Sequence, residues 1–169
     1  MSRFVSERLG PNHLLDSFRC GSQTLERWLT DHAAHAQSTH TAQTFVWQVG
    51  KGRVVAYFTL AAHLLERADL PRKRGHGSPT AIPAVLLERL ALDAGLQGQG
   101  LGGELLWDAL TRAHTASAAT TARAVVVDAF SLQAAAFYQH HGFSPIPDNP
   151  SRLVQRTSDI AAALGRKQS

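Results

Sequence analysis

Cysteine is almost absent from this chain of 169 residues, with Cys20 the single example. One thiol closes no internal disulfide and builds no cysteine-rich zinc module, which points to a reducing compartment, the cytoplasm. Long apolar runs are missing too. None approaches the roughly 20 residues needed to cross a bilayer, so no membrane partner is expected. The opening Met-Ser-Arg-Phe-Val-Ser-Glu has no apolar stretch of the signal-peptide kind. Lysine is scarce: of 17 Lys+Arg only Lys51, Lys73 and Lys167 are lysines, and the rest are Arg. No internal repeat or long low-complexity tract appears.

Apolar residues make up 44% of the chain, enough to bury a core, and the length fits one domain, residues 1–169. The net charge is +4 and the pI about 9.8. An Arg-rich excess suits an anionic partner such as a nucleotide cofactor or RNA, because guanidinium pairs with phosphate in a planar, bidentate way. A merely basic protein would look the same on charge alone.

Patterning predicts a strand from Arg3 to Leu9, closed by Gly10-Pro11. Leu25, Trp28, Leu29, Ala33 and Ala36 predict one helix from Thr24 to Ala36, with Gly21-Ser22 before it as a turn and cap. Strands from Thr44 to Val49 and Arg53 to Leu60 flank a Gly50-Lys51-Gly52 hairpin turn. The segment from Arg67 to Pro83 reads as a loop holding the densest basic cluster, Arg72-Lys73-Arg74. A buried strand from Ala84 to Leu92 follows. Then come Gln97-Gly98-Gln99-Gly100-Leu101-Gly102-Gly103, a helix from about Glu104 to Ser117 and a second buried strand at Ala124–Val127. Ser131 caps a helix running to about His141, with Gly142 as its C′ residue. Strands from Phe143 to Ile146 and Ser151 to Arg156, and at best a short helix from Asp159 to Leu164, complete the chain. Meander first and alternation later predict an α/β fold with a mixed sheet and helices on both faces.

The glycine segment follows a strand and opens a helix. Small residues there leave several N–H groups aimed at one spot on the positive end of a helix, which suits a pyrophosphate. A glycine-rich turn without a ligand is the plain alternative. A Rossmann reading fails because the loop lies past mid-chain, and a P-loop fails because Gly-Lys-Ser/Thr is absent. Gln97, Gly100 and Gly102 instead match Gln/Arg-x-x-Gly-x-Gly, and Ala134-Ala135-Ala136-Phe137-Tyr138-Gln139-His140-His141-Gly142-Phe143 resembles A-x-x-F-Y-x-x-x-G-F. Together these resemble the GNAT superfamily of acetyltransferases. Phe18-Arg19-Cys20-Gly21, Leu25, Trp28-Leu29, Pro71-Arg72-Lys73-Arg74, Ile82-Pro83 and Leu90-Ala91-Leu92-Asp93 resemble, more narrowly, the TacT-type toxins of toxin–antitoxin pairs.

The resemblance implies a GNAT-like, splayed central sheet. It implies acetyl-CoA bound at Leu90, Ala91 and Leu92 through backbone groups and at Gln97, Gly98, Gln99, Gly100, Leu101, Gly102 and Gly103. Ser131, where many relatives carry Asn or Asp, and Phe137 complete that set. It implies Tyr138 as the catalytic acid. The substrate would be the amino group of aminoacyl-tRNA, whose acetylation blocks translation. The partner would be a ribbon-helix-helix antitoxin, and the assembly a homodimer. A GNAT enzyme for a small amine or a protein N-terminus is the second reading, and a non-catalytic CoA-binding or partner-binding module a third.

The chemistry is consistent with this. An α-amine has a pKa of ~7.7–8.0, lower still when its carboxyl is esterified, so no strong base is required. A phenol keeps its proton at neutral pH and can give it to the leaving thiolate. A core tyrosine is the plain alternative for Tyr138, and Tyr57 reads as packing. Arg72, Lys73 and Arg74 are the best RNA contacts, against a merely solvated basic loop. No metal is expected: His32 and His35 share a helix face with no third ligand, and His40 adds none. Cys20 has no partner for nucleophilic work. Trp28, Trp47 and Trp107 read as core, and Glu88 and Asp93 as surface charges at a strand end.

Overall fold

The structure is a computed structural model and describes residues 4–70 and 81–168. Its strands are β1 (Glu7–Arg8), β2 (Gln43–Val49), β3 (Arg53–Glu66), β4 (Ala81–Leu92), β5 (Ala124–Asp128), β6 (Ser144–Ile146) and β7 (Asn149–Arg156). Its helices are α1 (Gln23–Asp31), α2 (Ala33–Ser38), α3 (Leu101–Thr120), α4 (Leu132–His140) and α5 (Thr157–Gln168). The strands are ordered β1-β2-β3-β4-β5-β7-β6, a mixed sheet as the sequence predicts. β4 runs parallel to β5, while β1–β2, β2–β3, β5–β7 and β6–β7 are antiparallel. No helix among the described residues is long and apolar enough to cross a membrane.

The chain divides into two compact units, 1–61 with 88–109 and 62–87 with 110–169. In the first, Phe18, Leu29, Val46, Val54, Tyr57 and Ala91 form the apolar core. Asp108 organises its polar part by accepting the Ser6 hydroxyl at 2.7 Å, the Ser6 N–H at 3.1 Å and the Trp47 indole N–H at 2.7 Å. In the second, Leu65, Ile82, Ala84, Val126, Ile146 and Val154 form a separate core to which, among the described residues, only strand and loop residues contribute.

Several boundaries differ from the patterning, each for a local reason. The first strand shrinks to Glu7–Arg8 because Ser6 gives its N–H to the Asp108 carboxylate instead of a neighbouring strand. The expected single helix divides at His32, whose φ of −128° leaves the helical range. Just before the break the Thr30 hydroxyl donates back to the Glu26 and Arg27 carbonyls, a competition that bends helices. Ser22 caps α1 as the Gly21-Ser22 turn suggests, its hydroxyl accepting the Leu25 N–H. Glu26 reaches back to the N–H groups of Cys20 and Gly21 and ties down the chain before the cap.

Helix α3 starts at Leu101, so Gly102 and Gly103 belong to its first turn and not to the loop. The last helix is twelve residues long. It is anchored by Thr157, whose N–H and hydroxyl donate to the Arg123 and Ala122 carbonyls, and by buried Ile160 and Leu164 one turn apart. Gly142 does close α4 in the left-handed region at φ +98°.

Candidate active site

The glycine segment lies in the first unit. Asp93 follows β4, accepts the Gly95 N–H at 3.0 Å and the Arg19 N–H at 3.2 Å, and so caps a 3-10 turn, Ala94–Leu96. Its carboxylate therefore has a structural task. Gln97 follows, with its side-chain amide donating to the Leu92 carbonyl at 2.8 Å and the Cys20 carbonyl at 3.0 Å. That clamp bends the chain sharply back toward the end of β4.

Gly98 and Gly100 then adopt φ of +79° and +78°, the left-handed region that favours glycine. A Cβ placed on either would meet nothing within 4 Å, so space stands open beside both α-carbons. No backbone carbonyl among the described residues takes the N–H of Gly98, Gln99 or Gly100. These free donors lead into the N-terminus of the twenty-residue α3. Open space, free donors and a positive helix end together fit a diphosphate.

Leu90, Ala91 and Leu92 lie beyond the end of the parallel β4–β5 register, which stops at Leu87↔Val127. Ala91 is buried in the first core, while Leu90 and Leu92 are half-buried. On the same stretch Arg89 pairs with Glu88 at 3.1 Å and lies 3.8 Å over the Trp28 ring, which itself stacks on Tyr57. Tyr57 is tied by its hydroxyl to the Leu25 carbonyl at 2.6 Å, and burial pushes its pKa up. The packing role expected of Tyr57 agrees with that placement.

Tyr138 lies in the second unit, on α4. Ser131 caps this helix, its hydroxyl accepting the Ala134 N–H at 3.0 Å. The Tyr138 ring is 8% exposed and packs edge-on against Phe137 and Phe143. No protein group among the described residues hydrogen-bonds its hydroxyl. Burial, and then the negative charge of Asp128, push its pKa up to about 12. A proton held that firmly at neutral pH is what a general acid needs before transfer. Phe137 turns its ring edge-on to both Tyr138 and His141.

Three further residues in this unit escaped the sequence reading. Arg152 on β7 grips Asp128 at the end of β5 with two hydrogen bonds, 2.7 and 2.8 Å, and its third nitrogen lies 3.1 Å from His63 Nε2. Their signal was the acidic residue ending the strand Ala124–Asp128, but its partners come from remote segments. Among the remaining candidates His32, His35 and His40 are exposed. No group of three or more His, Cys, Asp or Glu among the described residues is placed to hold a metal. Trp47 is fully buried. Cys20 is half-buried, and burial raises its pKa, which argues against a reactive thiolate. Arg72, Lys73 and Arg74 lie outside the described residues.

Residues 40–145 match the family model of the acetyltransferase (GNAT) domain. The chain belongs to the GNAT acetyltransferase family. It is thus an acyltransferase, and acetyl-CoA is the acyl donor of GNAT chemistry. Over 149 residues the chain is 35% identical to a tRNA-acetylating toxin of Mycobacterium tuberculosis, covering 88% of this chain and 89% of that protein. A solved structure of AtaT complexed with acetyl-methionyl-tRNAfMet is 30% identical, with a TM-score of 0.87 over 95% of this chain and 98% of the other. A Tyr-to-Phe mutant of the AtaT toxin, bound to the C-terminus of the antitoxin AtaR and acetyl-CoA, is 28% identical. Its TM-score is 0.81 over 97% of this chain and 99% of that one.

Proposed function

We propose that this GNAT enzyme moves an acetyl group from acetyl-CoA to the α-amino group of aminoacyl-tRNA and thereby stops translation. The observation that carries the reading is the likeness, over nearly the whole chain, to toxins whose names and complexes specify tRNA acetylation. The site chemistry supports it, because an esterified aminoacyl amine is neutral enough near pH 7 to react without a strong base.

On this reading the N–H groups of Gly98, Gln99 and Gly100 and the first turn of α3, including Leu101, Gly102 and Gly103, hold the diphosphate of acetyl-CoA. Backbone groups of Leu90, Ala91 and Leu92 align its pantetheine arm. Gln97 and Ser131 act as braces, Gln97 shaping the loop and Ser131 fixing the start of α4, while Phe137 supports the tyrosine ring. As the amine nitrogen bonds to the acetyl carbon, the carbon–sulfur bond breaks and Tyr138 gives its proton to the departing sulfur. The proton shed by the nitrogen goes to solvent, and the tyrosinate is reprotonated from solvent. Arg72, Lys73 and Arg74 bind the tRNA backbone.

The chain works as one domain and as a homodimer, and an antitoxin of ribbon-helix-helix type neutralises it in the cytoplasm. A cell-free translation reaction tests the function. Addition of the protein should stop synthesis only when acetyl-CoA is supplied. Acetylation of a small amine or a protein N-terminus, with translation unaffected, would establish the alternative GNAT activity instead.

A further inference from the structure

The Arg152–Asp128–His63 set fixes the protonation of an imidazole, and the reason is donor chemistry. Arg152 has five N–H donors and no acceptor, so across the 3.1 Å contact it must donate to His63 Nε2. His63 is therefore neutral, with its single proton on Nδ1. Burial and the Arg152 charge both lower its pKa, in agreement. The guanidinium cannot swing away to release the ring, because Nε and the remaining terminal nitrogen both hold Asp128. Asp128 and Arg152 are register partners across β5 and β7, which sets the grip by backbone pairing.

The Nδ1–H that this arrangement leaves has no partner among the described residues, and the ring is only half-buried. Strand alternation places Asp128 and Arg152 on the same face as Val126 and Val154, and His63 on that of Leu65. This is the face of the second core, to which only strand and loop residues contribute among the described residues. The set stands just past the carboxyl end of the parallel β4–β5 pairing, the end at which open α/β sheets receive ligands. The same Asp128 charge bears on Tyr138, in the same unit.

We propose that His63 is a substrate-positioning residue, held by Arg152 as the Nδ1–H tautomer to donate a hydrogen bond to an oxygen of the aminoacyl-ribose ester. The inference rests on the function proposed above. Two carboxamide variants separate it from a packing role. His63→Asn keeps a donor where Nδ1 stands and gives up the Nε2 acceptor. His63→Gln keeps an acceptor for Arg152 and gives up the Nδ1 donor.

In an acetylation assay with acetyl-CoA and total charged tRNA, His63→Gln should raise KM for charged tRNA by roughly tenfold, the scale of one lost hydrogen bond. His63→Asn should stay within about threefold, and acetyl-CoA affinity should be unchanged in both. Ring-nitrogen NMR shifts of the wild-type protein at neutral pH should show a protonated Nδ1 and a bare Nε2. An unimpaired His63→Gln, equal losses in the two variants, an Nε2–H tautomer or a doubly protonated ring would each overturn the inference. Wild-type protein inert toward charged tRNA would instead remove the proposed function, and this inference with it.

Discussion

The side-chain amide of Gln97 donates to the backbone carbonyl of Leu92 at 2.8 Å, folding the glycine segment back onto the strand that precedes it. A second bond from the same nitrogen reaches Cys20 at 3.0 Å. On the proposed function the glutamine of the Gln-x-x-Gly-x-Gly pattern would act on acetyl-CoA indirectly, by shaping the loop whose backbone is assigned the binding. Gln97→Ala removes both tethers and no donor that would face the diphosphate. Calorimetry should show acetyl-CoA affinity reduced about three- to tenfold in a folded protein, from one or two hydrogen bonds. Wild-type affinity would mean that the loop holds its shape without the clamp.

Tyr138→Phe removes one hydroxyl and almost no volume. The variant should bind acetyl-CoA normally and lose about 10²–10⁴ in kcat under chemistry-limited conditions. A fall of less than about tenfold would assign the acid to another group. The pH dependence carries a sign as well. The phenol ionises near 10 when unfolded and at about 12 in the fold. The neutral form is thus favoured in the folded state, a stabilisation fully present below pH ~10 and lost as pH rises toward 12. Wild-type melting temperature should fall relative to Tyr138→Phe across that window and not below it. On the same grounds wild-type kcat should show no alkaline fall from tyrosine ionisation between pH ~8 and ~10.

Local signals made much of the fold legible in the sequence. The Gly98–Gly100 turn, the Ser131 cap and the buried Val125–Val127 run are fixed by neighbours in the chain, so pattern and structure agree there. The parts that were hidden depend on distant segments. β3 continues through Ala61-Ala62-His63-Leu64-Leu65-Glu66, residues that suit helix as well as strand, and only the sheet decides between them. The length of α5 is set by docking of Ile160 and Leu164 more than by propensity. Arg152, Asp128 and His63 are up to 89 positions apart, and no spacing rule connects them.

Arg72, Lys73 and Arg74 are the proposed tRNA-binding residues. Phosphate neutralisation releases counterions, so affinity for charged tRNA should fall steeply with salt. Replacing all three with alanine should raise KM for charged tRNA and flatten the salt dependence. The log–log slope should drop by about 0.7–0.9 for each phosphate that the variant no longer neutralises. Acetyl-CoA affinity should hold, because the diphosphate is assigned to the glycine segment. Wild-type tRNA kinetics at two salt concentrations would exclude this segment from RNA binding.

Asp108 gathers three donors from two other segments, the N–H and hydroxyl of Ser6 and the indole N–H of Trp47. Trp47 is fully buried and Ser6 nearly so. Asp108→Ala leaves these donors without their acceptor, at a cost of about 2–4 kcal/mol. Thermal denaturation should show the midpoint lowered by roughly 5–12 °C for a chain of this size. Acetyl-CoA affinity of the folded fraction should be preserved. An unchanged midpoint would show that other groups or water replace the carboxylate.

Mass spectrometry of the product shows whether the protein transfers acetyl from acetyl-CoA to the amino group of aminoacyl-tRNA. Wild-type protein is incubated with acetyl-CoA and total charged tRNA, the RNA is digested to nucleosides, and the aminoacyl-adenosines are weighed. At least one aminoacyl-adenosine should be heavier by one acetyl group carried on the α-nitrogen, dependent on acetyl-CoA and absent with uncharged tRNA or Tyr138→Phe. No acetylated aminoacyl-adenosine under conditions where the wild-type protein binds acetyl-CoA, or an acetyl group carried equally by uncharged tRNA, would contradict the proposed function.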